Sequence, residues 1–265
     1  MATMHNNFMF TGSIGNVTAY RIQGSDKIYL RTKGGANKQK IKNHPNFAFT
    51  RALNREFAER VWAAKQLLQA IIPLKQVVNY NLMAAFNRLC YTIQTSDTMH
   101  PIGERSILFS NCKHYLPGFQ FNNRYVFDQV MQGPLSFQID RDSLMAKVHV
   151  SDLLPKIHLT LPWMYSYYRF TLVLAIIQDC CIPSTQNYSN QNAVSVQINS
   201  IHTHWNAVKA PLEENLWQLQ LRRASVLQPN ETMILSIGIE AGDPITNELI
   251  MPVKHIGAGK ILGVA

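Results

Sequence analysis

Two stretches of the chain repeat apolar residues at the spacing of an α-helix. Apolar residues recur every three or four positions over residues 49–71, which places them on one face of a helix with about 3.6 residues per turn. Pro45 is acceptable in the first turn of this helix, and Pro73 ends or kinks it. The same spacing returns over residues 78–93. Because the link is short, the pattern predicts an antiparallel two-helix hairpin.

From about residue 118 onward the pattern changes to short β-rich runs, many of them separated by Gly, Pro, Asn or Asp. Such spacing predicts an antiparallel β-sandwich. The run 234–239 is almost continuously apolar, as in a central strand, whereas 216–221 alternates, as in a half-buried one. The predicted strands are residues 125–131, 135–139, 144–150, 157–161, 168–177, 193–201, 216–221, 233–239 and 249–253, with a last strand in the closing HIGAGKILGVA.

The N-terminal segment predicts a β-hairpin followed by a basic loop. Residues 14–22 and 27–33 are rich in β-branched and aromatic side chains, and the turn-forming Gln23-Gly24-Ser25-Asp26 separates them. The next residues, 33–42, read KGGANKQKIK and predict a flexible basic loop. A two-stranded hairpin is marginally stable in water. We therefore expect this hairpin to lie against another surface.

These patterns predict an α+β chain with an N-terminal β-hairpin arm, an antiparallel two-helix hairpin and a C-terminal antiparallel β-sandwich. The expected divisions are 1–43 for the hairpin arm and basic loop, 44–117 for the helical hairpin and 118–265 for the β-sandwich-like part. With 265 residues, 46% hydrophobic and 15% charged, the chain is long enough to bury a core and is not of disordered composition.

The positive charge is concentrated near the N-terminus. The formal net charge is +9, and residues 1–65 hold 11 Lys and Arg against 3 Asp and Glu. The remaining residues hold 14 Lys and Arg against 13 Asp and Glu, so that part of the chain is nearly neutral. A charge localised in this way indicates a local partner more than general solubility.

The candidate interaction residues are basic and aromatic side chains of the arm: Tyr20, Arg21, Lys27, Tyr29, Arg31, Lys33, Lys38, Lys40 and Lys42. In one interpretation they bind nucleic acid, with cations on phosphates and tyrosines stacked on bases. In a second, the hairpin docks on a neighbouring subunit through its unpaired strand edge. In a third, they form a solvated face with no partner.

No motif with the spacing of a catalytic or metal site is present. The run 257–260, Gly-Ala-Gly-Lys, lacks the first Gly and the final Ser or Thr of a phosphate-binding loop. His202 with His204, and Cys112 with His114, lack the spacing of a zinc site. No nucleophile signature is found. We therefore expect no enzyme activity, no cofactor and no metal.

The chain shows no secretory signal, and its longest apolar run, near residues 170–177, is too short to span a membrane. Its four cysteines fit no disulfide scaffold. These features predict a cytoplasmic protein with no membrane insertion and reduced thiols.

Four short blocks of the chain follow a pattern that is also found in other proteins. The first is a Gly-x-Ile-Gly-Asn segment, then a Tyr, then Arg-x-Lys-Gly-Gly, at Gly12, Ile14, Gly15, Asn16, Tyr20, Arg31, Lys33, Gly34 and Gly35. The second lies in the first helix, at Phe47, Thr50, Arg51, Asn54, Glu56 and Phe57. The other two are residues 116–122 and 235–240. Together they resemble a family of uncharacterised bacterial proteins, a resemblance that implies this organisation and no activity.

We therefore predict a self-associating structural protein whose arm docks on another copy of the chain. The alternative is a nucleic-acid-binding protein that uses the basic arm and loop.

Overall fold

The structure, a computed structural model, describes residues 2–3, 10–22, 25–181, 196–223, 226–246 and 249–265. The chain divides into two compact units, Met1–Arg51 and Ala52–Ala265. We call the first unit the arm and the second the body. The predicted three-part division at residues 43 and 117 stays a prediction.

The arm contains a small antiparallel sheet and a short helix. Its elements are β1 (Ala2–Thr3), β2 (Gly12–Ile14), β3 (Val17–Arg21), β4 (Ile28–Thr32) and α1 (Lys38–Asn43). The strands are arranged in the order β1-β4-β3-β2. The predicted hairpin is thus the centre of a four-stranded sheet. The predicted basic loop contains a helix, which Asn37 caps by accepting a hydrogen bond from Lys40 N at 2.7 Å.

The predicted helical hairpin comes next along the chain. A 3₁₀ turn at Pro45–Phe47 precedes α2 (Ala48–Ala70), and a second 3₁₀ turn at Ile72–Leu74 leads towards α3 (Leu82–Thr95). Asn81 caps α3 by accepting a hydrogen bond from Ala84 N at 3.2 Å.

The predicted apolar face of α2 is wrong for its N-terminal half. Phe49, Leu53 and Phe57 are exposed, whereas Glu56 and Glu59 on the same helix are buried. From Ala64 onward the prediction holds in part, because Ala64, Leu67 and Ile71 are buried in the core, whereas Leu68 is exposed. Spacing alone identifies a helical stripe without identifying which side the core occupies.

Two antiparallel sheets form the β-rich part of the body. The three-stranded sheet has the order β10-β6-β5, and the larger sheet has the order β12-β11-β7-β8 with β9 paired to β7. The first contains β5 (Leu135–Asp140), β6 (Met145–Val150) and β10 (Asn215–Gln220). The second contains β7 (Tyr167–Gln178), β8 (Gln197–His202), β9 (Asn206–Ala207), β11 (Glu231–Pro244) and β12 (Ile250–Val264).

Strands β7 and β11 are apolar on both faces because both faces are covered. On one face Leu172 packs in a core that includes Val148 and Leu219 of the three-stranded sheet. On the other, Val173 packs in a core that includes Phe86 of α3. The near-continuous apolar run in β11 therefore marks a central strand, as predicted, and β11 pairs with both β7 and β12.

Four predicted strands differ from the structure. Residues 125–131 contain the short helix α4 (Phe127–Val130), and residues 157–161 form turns and isolated bridges. The two predicted closing strands are one long strand, β12, with a register irregularity opposite β11 between Glu240 and Gly242. Of the predicted strand 193–201, residues 193–195 lie outside the described residues.

The predicted fold class is confirmed in its general form: the chain mixes α and β structure, with antiparallel sheets and a helical hairpin. No helix among the residues that the structure describes is both long enough and apolar enough to cross a membrane.

A buried carboxylate fixes the loop after α3. Glu56 of α2 accepts hydrogen bonds from Gly103 N at 2.8 Å and from Arg105 Nε and Nη2 at 2.7 and 2.6 Å. Burial alone would raise the pKa of Glu56, but the hydrogen bonds from Arg105 and Gly103 outweigh burial and place the pKa below its ordinary value of 4.5. The ionised form of Glu56 is therefore the one that stabilises the fold.

Replacing Glu56 with Gln should lower the free energy of unfolding by about 3 kcal/mol at neutral pH, because Arg105 loses its buried counter-charge. The deficit should shrink as the pH falls through the lowered pKa, since Glu56 is then protonated in the folded wild type as well. Urea unfolding at several pH values measures both effects. Glu213→Gln, at an exposed carboxylate, is the control and should change stability by less than about 0.5 kcal/mol. A deficit independent of pH would contradict the proposed role of the charge.

Candidate functional site

The arm sheet is built from two consecutive hairpins. Ile14 lies opposite Val17 across the two-residue turn Gly15-Asn16, and Gly15 has φ +55°, which favours glycine. Lys33 N donates to Asn16 O at 2.6 Å, which ties this turn to the end of β4. The Gly-x-Ile-Gly-Asn motif thus forms a turn, as its residue types indicate. Of the turn predicted at residues 23–26, residues 23–24 lie outside the described part of the chain.

Three of the candidate residues share one face of the arm sheet. Tyr20 lies directly opposite Tyr29, with ring centroids 6.0 Å apart. The Arg31 guanidinium lies 5.4 Å from the centre of the Tyr20 ring, in cation–π contact. Each tyrosine is partly exposed and Arg31 is exposed. The strand register therefore assembles two aromatic rings and one cation on a surface open to solvent.

Arg21 belongs to the opposite face. It lies across from Ile28, and successive side chains of a strand point to opposite sides, so Arg21 cannot join Tyr20. On that face Ala19 and Ile28 are buried. Lys27 and Lys33, both exposed, flank β4.

The remaining three candidates are on α1. Lys38 and Lys42, four residues apart, lie on one side of this helix, and Lys40 projects from the other. All three are exposed. The end of the helix is fixed because Arg51 Nη1 donates to Ile41 O and His44 O, both at 2.9 Å. The three lysines are therefore held on a short ordered helix.

The sequence analysis did not identify β2 as an edge strand of the arm sheet. Strand β2 is the last strand in the order, and among the described residues nothing pairs with its outer edge. All three β2 residues are exposed, Ile14 by 64% of its surface. β2 is only three residues long, but it holds neither a charge nor a proline, two of the features that prevent another strand from pairing. The Gly15-Asn16 turn was the available signal, since it places Ile14 on a separate strand.

The alternative catalytic and metal hypotheses gain no geometric support. Within the described ranges, no three His, Cys, Asp or Glu side chains lie together as a metal site would require. His202 is engaged with Thr171, whose hydroxyl lies 2.9 Å from Nδ1, and its pKa is lowered by burial and then by the nearby Arg169. Lys260 lies in a strand beside Asp128 and not in a phosphate-binding loop.

No model of a known protein family matches the chain, and no curated protein matches its sequence. The resemblance to uncharacterised bacterial proteins therefore stays a prediction.

The turn at Gly15 provides a local test of the arm. Gly15→Ala should destabilise the β2–β3 hairpin by about 1–2 kcal/mol, because a β-carbon is disfavoured at positive φ, although no atom obstructs it. Amide hydrogen exchange in residues 12–32 should then accelerate by about tenfold. Gly34→Ala is the matched control, since Gly34 has open space and an ordinary φ. Equal protection in the two variants would contradict the observed turn.

Proposed function

We propose that this protein is a self-associating structural protein whose N-terminal arm docks on a neighbouring subunit. The observation that carries the proposal is the outer edge of β2, which pairs with none of the described residues and whose side chains are uncharged and exposed. An exposed strand edge presents unpaired N–H and C=O groups, and pairing with another chain satisfies them.

Exposed apolar side chains next to this edge support the same proposal. Ile14 is 64% exposed, and Val17 and Ile22 of the adjoining strand region are also exposed. Removing such side chains from water contributes about 25 cal/mol per Å² of apolar area. Strand pairing on a neighbouring subunit would thus combine backbone hydrogen bonds with apolar burial.

The body of each subunit is proposed to be a β-sandwich formed by the three-stranded and larger sheets. Support comes from one core that contains Ala146, Val148 and Val150 of β6 together with Phe170, Leu172 and Leu174 of β7. Residues of the inner faces of two packed sheets interdigitate in this way. The absence of enzyme activity and a cytoplasmic location stay predictions of the same hypothesis.

Light scattering on the full-length protein, after nuclease treatment and in moderate salt, tests the assembly. We expect a homogeneous mass well above the 30.2 kDa of one chain. Ile14→Lys should reduce this mass, because a lysine on an edge strand opposes strand addition. Ile157→Lys is the matched control, since Ile157 is a body residue with 61% exposure, and it should leave the mass unchanged. A wild-type mass of 30.2 kDa would refute the proposal.

A second candidate function, nucleic-acid binding, is favoured by the face that carries Tyr20, Tyr29 and Arg31. Aromatic rings beside cations suit single strands, because bases stack on rings while cations neutralise phosphates. Lys27 and Lys33 flank this face. The basic residues of the arm would then supply the salt-dependent part of the affinity.

Binding of single-stranded oligonucleotides as a function of salt distinguishes this candidate from assembly. Replacing Lys38, Lys40 and Lys42 with Gln should lower the slope of log affinity against log salt by about 0.7 for each phosphate that a lysine no longer neutralises. Tyr20→Ala should weaken binding without changing the slope. Gln at the exposed body residues Lys147, Lys209 and Lys254 is the control. Affinity insensitive to salt would exclude this function.

A further inference from the structure

Beyond the core, β11 and β12 continue as a two-stranded ribbon, which we define as residues 242–246 and 249–252. Asp243 lies opposite Met251, and Ile245 N donates to Leu249 O at 2.8 Å. Side chains two residues apart along a strand point to the same side. Asp243 and Met251 therefore share one face of the ribbon, and the hydrogen-bonded Ile245 and Leu249 adjoin them just beyond the ends of the strands. We call these four residues the ribbon face.

This ribbon face is apolar, acidic and open to solvent. Ile245 is 59% exposed, and Leu249 and Met251 are each 51% exposed. Asp243 is exposed beside them. Three large apolar side chains grouped in this way are typical of an interaction surface.

The base of the ribbon is braced against the sheet. Gly242 packs on Trp205 so closely that an added β-carbon would lie 2.5 Å from the indole ring. Arg169 in turn lies 4.6 Å from the centre of that ring and forms an ion pair with the buried Glu240 at 2.7 Å. These contacts therefore fix the position of the ribbon where it leaves the sheet.

A complementary surface lies beside the turn that joins α2 and α3. It is an open groove of about 430 Å³. Its apolar walls are Leu68, Ile71, Ile72, Val78 and Leu82. Lys75 also lines the groove, and none of the described residues that line it is acidic.

Hydrogen bonds hold this groove open in advance of binding. His255 N donates to Gln76 O at 2.7 Å, which fixes the turn to β12. Tyr80 donates its hydroxyl hydrogen to Gln120 O at 2.6 Å. Because the walls are fixed, an occupant incurs little ordering cost.

We propose that the ribbon face of one copy docks in the groove of a second copy. Ile245, Leu249 and Met251 would cover the exposed Leu68 and Ile72, and the Asp243 carboxylate would meet the Lys75 ammonium. We favour a second copy as the occupant because Asp243 of the ribbon face and Lys75 of the groove have opposite charges. An anionic small molecule would fill the groove but leave the ribbon uncovered.

This contact lies wholly in the body and does not depend on the arm. One ribbon in one groove covers less than the roughly 1,600 Å² of a standard interface. The association is therefore expected to be weak and concentration-dependent, and stronger when two subunits dock reciprocally.

Charge reversal on the full-length protein tests the proposal by sedimentation velocity across a range of concentrations. Lys75→Glu and Asp243→Lys should each weaken association by about tenfold or more, because each places like charges together. Mixing the two variants should restore it, since every contact in the mixed complex then joins opposite charges. The double variant should associate as the wild type does.

Lys209→Glu and Asp142→Lys reverse exposed charges elsewhere in the body and should change nothing. Single variants that associate as strongly as wild type, or a mixture that does not recover, would overturn the proposal. A wild-type monomer whose groove binds decanoate would also overturn it and assign the groove to a small amphiphile. Ile14→Lys separates the two hypotheses, because it removes association through the arm and leaves the ribbon contact intact.

Discussion

The body depends on the burial of both faces of the β7–β11 pair. These strands lie opposite each other over twelve successive positions, from Glu231 and Gln178 to Gly242 and Tyr167. The helical hairpin covers one face and the three-stranded sheet covers the other. The other elements of the body pack around this pair. The register between β7 and β11 therefore determines which side chains meet in the loops and at the edges of the sheet.

Because both faces of the β7–β11 pair are buried, a charged side chain in these strands needs a partner of opposite charge. Glu231 begins β11 and Glu240 lies near its far end, and both side chains are almost fully buried. Each is paired with an arginine, Arg223 and Arg169 respectively. Removing a carboxylate from water costs several kcal/mol, so a buried carboxylate is tolerated only with such a partner. Because Arg169 lies directly opposite Glu240 in the register, a one-residue slip of the strands would separate this pair.

Sequence patterns predicted an element well where apolar residues alone are buried, and poorly where a charged side chain is buried with a distant partner. The apolar run in β11 marked a central strand because both of its faces are covered. The stripe through Phe49, Leu53 and Phe57 marked a helix but the wrong buried side, since the buried Glu56 is paired with Arg105, a partner 49 residues away. In the arm, the charge was visible in the composition. The grouping of residues on faces was not, because it depends on strand register.

The arm carries two surfaces that are separable by geometry. Strand addition to β2 uses backbone groups that point outward within the plane of the sheet, whereas Tyr20 and Arg31 project perpendicular to that plane. A neighbouring strand would extend the sheet and leave this face open. Assembly through the edge would therefore repeat the aromatic and basic face once per subunit. Linked copies of a weak site bind a long polyanion far more tightly than one copy does, so self-association and nucleic-acid binding are compatible uses of the same arm.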